Sequence, residues 1–313
     1  MPSCARLPTA LPGRSYHTRM AIKWCALLLA ALAPAQVVAP AQVAAPAQAE
    51  DGMSHFAKLD GIRVHYESYG SGSEALVFVH GWTCDLTFWR GQEPVYTAHR
   101  SLLIDLPGHG KSDKPRMSYP TELFARSIEA VLRDAGVERA VIVGHSLGGN
   151  IAYTFVRMFP EKTKALVIVD SIVARPPPPQ PRSMIAYYHQ RAKTLSSPAG
   201  KKNFIRQVNA MFSDRTPPDM RDEIRSKMLS TPEYVRIAAV TSISKIPPPN
   251  PAHAFDIPAL AVISSYGFQQ AAAMRRIFPQ LQIEKWDMYG HFLMMEDAER
   301  FNRTLENFLA ANQ

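Results

Sequence analysis

Cysteine is scarce in this chain, with three among 313 residues. Two of them, Cys4 and Cys25, fall in the first 49 residues, a stretch that holds no aspartate or glutamate. Cys84 is the only cysteine after that stretch, so a mature chain lacking it forms no intrachain disulfide. At this size none is needed, since 46% of the residues are hydrophobic and support a sizeable core. Long apolar runs are missing from the leader too. Its apolar stretch, residues 26–33, is too short to span a bilayer, which argues against a stable membrane anchor. No metal-ligand spacing, phosphate loop or dinucleotide fingerprint occurs, so nothing calls for a cofactor or a metal. Nor is there a basic stripe. The formal charge of +8 falls to +4 if Arg6, Arg14, Arg19 and Lys23 leave with the leader, which gives no case for nucleic acid.

The leader itself is rich in Ala, Pro and Gln. Lys23 precedes the apolar run, and the small residues Ala47 and Ala49 offer an A-x-A cleavage site. This pattern reads as a secretory signal peptide over residues 1–49. Met20 is open as the true start, because the Pro- and Arg-containing stretch before it is an unusual n-region. The expectation is a periplasmic or secreted protein whose mature chain begins near Glu50.

What is present is most concentrated at residues 140–150, which read Ala-Val-Ile-Val-Gly-His-Ser-Leu-Gly-Gly-Asn. A short apolar run enters G-x-S-x-G at Gly144–Gly148, and a helix-like stretch follows. A bare G-x-S-x-G arises by chance in roughly one chain in ten of this size, so the motif alone is weak. Strand before and helix after give it meaning: a sharp turn that lifts the Ser146 hydroxyl above the sheet edge. Small flanking residues are needed because the nucleophile sits in strained backbone. The Leu147 N–H starts the helix and points at the same spot.

Along the rest of the chain, residues 56–59 and 62–67 flank Asp60-Gly61, a hairpin signal. Short apolar runs follow at 75–79, 102–104, 140–143, 165–169, 259–263 and 283–286. Helix patterns over 121–135, 151–159 and 297–311 alternate with several of them. Apolar strands separated by helices predict an α/β fold with a mostly parallel, doubly covered sheet. Between residues 173 and 256 the rhythm changes. Prolines at 176–179 open the stretch, prolines at 247–249 close it, and helix-like segments at 183–193, 201–211, 219–228 and 232–242 lie between. The expected organisation is a core over 50–174 and 253–313 with an inserted helical cap over 175–252. Met, Phe and Tyr residues of the cap either line a pocket or form the undersides of its helices.

Four motifs in this order carry a resemblance. They are His80-Gly81-Trp82 after the third strand, the run from Asp105 to Asp113 after the fourth, the Gly144–Gly149 turn, and Gly290-His291-Phe292 near the end. Together they resemble the α/β-hydrolase fold superfamily, in a serine-nucleophile form with a helical cap, over roughly residues 55–312. The resemblance implies that Ser146 is the nucleophile and His291 its base, because a serine hydroxyl needs a base within hydrogen-bond reach. It implies an oxyanion hole made by the backbone N–H groups of Trp82 and Leu147. His80, His109 and His145 read as structural. An aspartate nucleophile, as in epoxide hydrolases and haloalkane dehalogenases of this fold, is excluded by Ser146.

The acid is where the chain departs from the family. It usually follows the seventh strand, yet residues 257–283 contain no Asp or Glu, and Gly267 stands about where the acid is expected. Asp170, at the end of the sixth strand, is the substitute; its other reading is a strand-end residue capping the next turn. Asp287 lies too close to His291 along the backbone to orient the ring easily. The resulting expectation is an exported serine hydrolase acting on an ester, thioester or lactone of a small to medium apolar molecule. Acyl transfer or peroxyacid formation at the same residues stays open, as does a low-turnover binding protein on the same fold. The expected partner is a small-molecule substrate.

Overall fold

The computed structural model describes residues 52–171, 173, 181–243, 245–246, 253–264 and 271–312. The first 49 residues, read above as a signal peptide, the prolines at 176–179 and 247–249, and Gly267 lie outside the described residues. Two strands open the fold, β1 (Met53–Leu59) and β2 (Ile62–Tyr69), paired antiparallel. Asp60 and Gly61 between them have φ of +49° and +82°, the pair of left-handed residues that a tight two-residue turn requires.

Six further strands follow: β3 (Glu74–Val79), β4 (Ser101–Ile104), β5 (Arg139–His145), β6 (Thr163–Val169), β7 (Ala259–Ser264) and β8 (Leu281–Trp286). The eight form one sheet in the order β1-β2-β4-β3-β5-β6-β7-β8. From β4 across to β8 all neighbours pair parallel. Almost every residue of β3 to β7 is buried, as expected for parallel strands covered on both faces.

The main helices are α1 (Glu93–Tyr96), α2 (Thr121–Asp134), α3 (Leu147–Met158), α4 (Pro181–Leu195), α5 (Gly200–Asn209), α6 (Pro218–Ser230), α7 (Glu233–Ile243), α8 (Ala271–Ile277), α9 (Leu293–Glu296) and α10 (Ala298–Ala310). On α2, Leu123, Phe124, Ile128, Val131 and Leu132 are buried at helical spacing and carry the helix onto β1 and β2. Helix α3 packs on α2 and on β3, β5 and β6. Helices α4 to α7 all fall between β6 and β7 in the chain, where the cap is expected. None of the described helices is long and apolar enough to cross a membrane.

Register decides where chemistry can collect. Val79 pairs with Gly144, His145 with Val169, and Val169 with Val262. The carboxyl ends of β3, β5, β6 and β7 therefore finish side by side, the usual place for a site in an open parallel sheet.

One buried carboxylate, directly after β4 whose Ile104 pairs with Val79, fastens loops at that same edge. Asp105 accepts from the Leu86 N–H at 2.9 Å, the Lys111 N–H at 2.8 Å and His65 Nδ1 at 2.7 Å. The Ser112 hydroxyl donates to the Asp105 carbonyl at 2.6 Å. Nearby, His80 Nδ1 donates to the Gly81 carbonyl at 2.9 Å and its Nε2 accepts from the Leu106 N–H at 3.1 Å. His109 Nδ1 donates to the Pro107 carbonyl at 3.0 Å, and burial pushes this ring down to about 3. These contacts hold the turns after β3 and β4, as the structural reading of His80 and His109 expects.

Burial pushes the Asp105 carboxyl up, but the His65 hydrogen bond and the Lys111 and Leu86 N–H groups outweigh it and bring the pKa to about 2. An unfolded aspartate titrates near 3.9, so as pH falls the unfolded chain takes up its proton first. The stabilisation is complete above about pH 4 and is lost between there and about pH 2. Asp105→Asn is expected to lower the unfolding free energy by about 3 kcal/mol at neutral pH. The gap between wild type and variant in urea titrations should close between pH 4 and pH 2; a gap that stays constant there contradicts this role.

Candidate active site

Ser146 sits between the last residue of β5 and the first of α3, at φ +55° and ψ −117°. This is a strained left-handed conformation for a residue with a side chain. Its N–H donates to the Val169 carbonyl at 2.9 Å, which ties the turn to β6. The two motif glycines answer to close backbone approaches. A Cβ on Gly144 would lie 2.4 Å from the Gly148 carbonyl oxygen, and one on Gly148 would lie 2.2 Å from that of Val79. Neither distance is tolerable, so the turn demands both glycines.

His291 reaches Ser146 from the loop before α9. Its Nε2 is 2.7 Å from Ser146 Oγ, and its Nδ1 is 2.6 Å from Asp170 Oδ2. An ionised carboxylate only accepts, so Nδ1 carries the ring proton and Nε2 presents its lone pair to the serine hydroxyl. Asp170 follows β6 at φ +40°; its N–H donates to the Val262 carbonyl at 2.8 Å, and its Oδ1 accepts from the Ser264 N–H at 2.9 Å. Burial pushes this carboxyl up, but the bond from His291, the charge of that ring and the Ser264 N–H hold it below the usual carboxylate range.

The histidine loop is fixed at both ends of the residue. The His291 N–H donates to the Met211 carbonyl at 2.8 Å, and the His291 carbonyl accepts from His145 Nε2 at 2.8 Å. Burial and the neighbouring His291 push His145 down to about 3, so it is neutral near pH 7 and works as a strut. Glu296, which the sequence reading does not single out, ties the same loop to the segment after α5. Its carboxylate accepts from the Gly290 N–H and the Ser213 hydroxyl, each at 2.9 Å, and from the Thr216 hydroxyl.

The backbone around Trp82 and Leu147 adjoins Ser146. A Cβ on Gly81 would fall 3.1 Å from Ser146 Cβ, so the turn leading into Trp82 lies against the serine side chain. Leu147 is the first residue of α3, where an N–H has no partner within its own helix. The Trp82 indole is buried and its Nε1 donates to the Arg236 carbonyl at 3.0 Å. Asp287, the weaker acid candidate, pairs with Lys285 at 2.7 Å on an exposed edge and is not part of this cluster. A cavity of about 450 Å³ opens over Ser146, His291 and Asp170. Its apolar wall includes Trp82, Met211, Phe212, Met228, Ile243 and Phe292. Among the described residues no group of three or more His, Cys, Asp or Glu could hold a metal ion.

The family model of the alpha/beta hydrolase fold matches residues 74–298. The chain belongs to this family. Among curated proteins, this α/β hydrolase is 28% identical over 270 residues to a 2-hydroxy-6-oxononadienedioate/2-hydroxy-6-oxononatrienedioate hydrolase of Burkholderia vietnamiensis, covering 79% of this chain and 91% of that one. It is 35% identical over 158 residues to the dihydrolipoyllysine-residue acetyltransferase component of an acetoin cleaving system of Cupriavidus necator. That match spans 46% of this chain and only 42% of the relative. Among solved structures, a thermophilic esterase from Thermogutta terrifontis superposes with a TM-score of 0.71 at 22% identity, over 84% of this chain and 99% of the other. An enol-lactonase from Burkholderia xenovorans gives 0.71 at 19% identity, over 82% and 99%. Likeness at these identities establishes the fold.

Proposed function

We propose that this α/β hydrolase is a serine hydrolase that cleaves an ester, thioester or lactone through an acyl-enzyme. The observation that carries the reading is the chain of two hydrogen bonds from Asp170 through His291 to Ser146. Ser146 Oγ attacks the substrate carbonyl carbon as His291 Nε2 takes the hydroxyl proton. The oxygen that gains the electron pair rests on the Trp82 and Leu147 N–H groups. Collapse of this intermediate expels the leaving group, which receives the proton from His291. Water then attacks the acyl-serine, gives its proton to His291, and the serine leaves with that proton. Asp170 holds the ring in the required tautomer and offsets its positive charge in both half-reactions.

A cavity of about 450 Å³, lined by apolar side chains together with polar ones such as Asn150, Ser171 and Ser213, suits a small to medium substrate. The activities of the similar proteins, an esterase, an enol-lactonase and a hydrolase of 2-hydroxy-6-oxononadienedioate, support hydrolysis as the reaction class. Export belongs to the same proposal, on the strength of the acid-free leader with its short apolar run and its A-x-A site. N-terminal sequencing of the secreted protein tests it.

Ser146→Ala and His291→Ala are each expected to lower turnover of p-nitrophenyl esters by at least ~10³-fold with the fold intact, and the double variant should be barely worse. A fluorophosphonate should label the wild type and spare Ser146→Ala. Near-normal turnover by Ser146→Ala would refute the nucleophile assignment.

A further inference from the structure

Asn150, one turn along α3 from Ser146, lines the cavity, and so does Ser171, the residue after Asp170. The two side chains meet through a close approach. A Cβ on Gly149 would stand 2.5 Å from Ser171 Cβ and 2.7 Å from its Oγ, so glycine at 149 is what admits the serine. Asn150 Nδ2 donates to Ser171 Oγ at 3.1 Å and to the Ser146 carbonyl at 3.4 Å. Both side chains are thereby fixed beside the turn that carries Ser146.

This pairing leaves one donor and one acceptor unused. Ser171 Oγ accepts from Asn150, and its own proton has no acceptor among the described residues. The Asn150 amide directs its N–H groups to Ser171 and Ser146, and its Oδ1 has no donor among the described residues. Other polar residues of the wall are committed elsewhere: Asp170 to His291, the Ser264 N–H to Asp170, and the Ser213 hydroxyl to Glu296. Ser171 is only 4% exposed. A buried polar group left without a partner costs about 1–3 kcal/mol, which a ligand that supplies the partner recovers.

A hydroxyl group matches the pair, because one oxygen can accept from the Ser171 hydroxyl and donate to Asn150 Oδ1. A carboxylate has no proton for Oδ1. A trans amide turns its N–H and C=O to opposite sides and cannot offer both to neighbouring groups. We propose that Asn150 and Ser171 form a hydroxyl-binding subsite, and that the favoured substrates are esters or lactones with a hydroxyl close to the scissile carbonyl, on the acyl or the alcohol side. The proposal rests on the Ser146–His291 cleft being the place of reaction.

The test compares hydroxylated probes with analogues in which a methyl group replaces the hydroxyl. On the acyl side these are both enantiomers of p-nitrophenyl 2-hydroxybutanoate and 3-hydroxybutanoate against the 2-methyl- and 3-methylbutanoates. On the alcohol side, 2-hydroxypropyl butanoate is set against 2-methylpropyl butanoate. Each ratio of kcat/KM is taken within one protein and then compared across the wild type, Ser171→Ala and Asn150→Leu, so differences in intrinsic reactivity cancel. The wild type is expected to favour the hydroxylated member of at least one pair, chiefly through KM. Ser171→Ala and Asn150→Leu should each cut that ratio by about 10- to 100-fold, the cost of leaving a buried hydrogen-bonding group unpaired. Ethyl 3-hydroxybutanoate and ethyl 3-methylbutanoate are also titrated calorimetrically into full-length Ser146→Ala protein with and without Ser171→Ala, so binding is read without turnover. No preference for the hydroxyl in either readout, or one of equal size in both subsite variants, overturns the proposal. Ser171-dependent binding of the hydroxylated ester by a protein that turns over no ester supports the subsite and refutes the serine-hydrolase reading instead.

Discussion

The bond between His291 Nδ1 and Asp170 Oδ2, 2.6 Å long, gives the rest of the site its direction. An imidazole has two nitrogens and can carry its proton on either. The Asp170 carboxylate on Nδ1 leaves Nε2 as an acceptor for the serine hydroxyl and also offsets the charge the ring gains when it takes a proton. Everything around that bond serves to hold its two ends. Asp170 is pinned between β6 and β7 through Val262 and Ser264. The histidine is pinned through its own backbone, by His145 on one side and Met211 on the other. His145 therefore contributes by staying neutral and bonded, although it stands beside Ser146 in the chain.

Much of this was legible in the sequence wherever a residue type answers to a local steric need. The Asp60-Gly61 turn and the Gly144 and Gly148 pair are of this kind, since only small or left-handed residues fit those backbones. The inner strands were legible because parallel strands buried on both faces read as unbroken apolar runs, and the observed β3 to β7 differ from those runs by one to three residues at their ends; β8, at the sheet edge, carries Glu284 and Lys285 and is only partly buried. Short helices such as α1, α8 and α9 escaped because one or two turns show no periodicity. The carboxylate on β6 was legible only by elimination, from the acid-free stretch after β7. Glu296 and the pairing of Asn150 with Ser171 were not legible at all. Each joins separate parts of the chain, Glu296 to Ser213 and Thr216, Asn150 to Ser171, and no local pattern announces such a meeting.

The segment between β6 and β7 is more than a cover. Met211 gives its carbonyl to the His291 N–H, Ser213 and Thr216 meet Glu296, and α4 brings Tyr188 to the cavity wall. The helices that shape the cavity thus also steady the histidine. Changes in that segment should couple substrate choice to turnover, because the same backbone takes part in both.

The central claim is that a carboxylate at the end of β6 orients the histidine. Steady-state kinetics of Asp170→Asn on a p-nitrophenyl ester test it most directly. The amide favours the wrong tautomer, so kcat should fall by roughly 10³- to 10⁴-fold while KM changes little and the thermal unfolding curve stays cooperative. A fall of less than about tenfold, well short of what a lost orienting acid costs, would contradict the claim and leave Ser146 and His291 to act without Asp170.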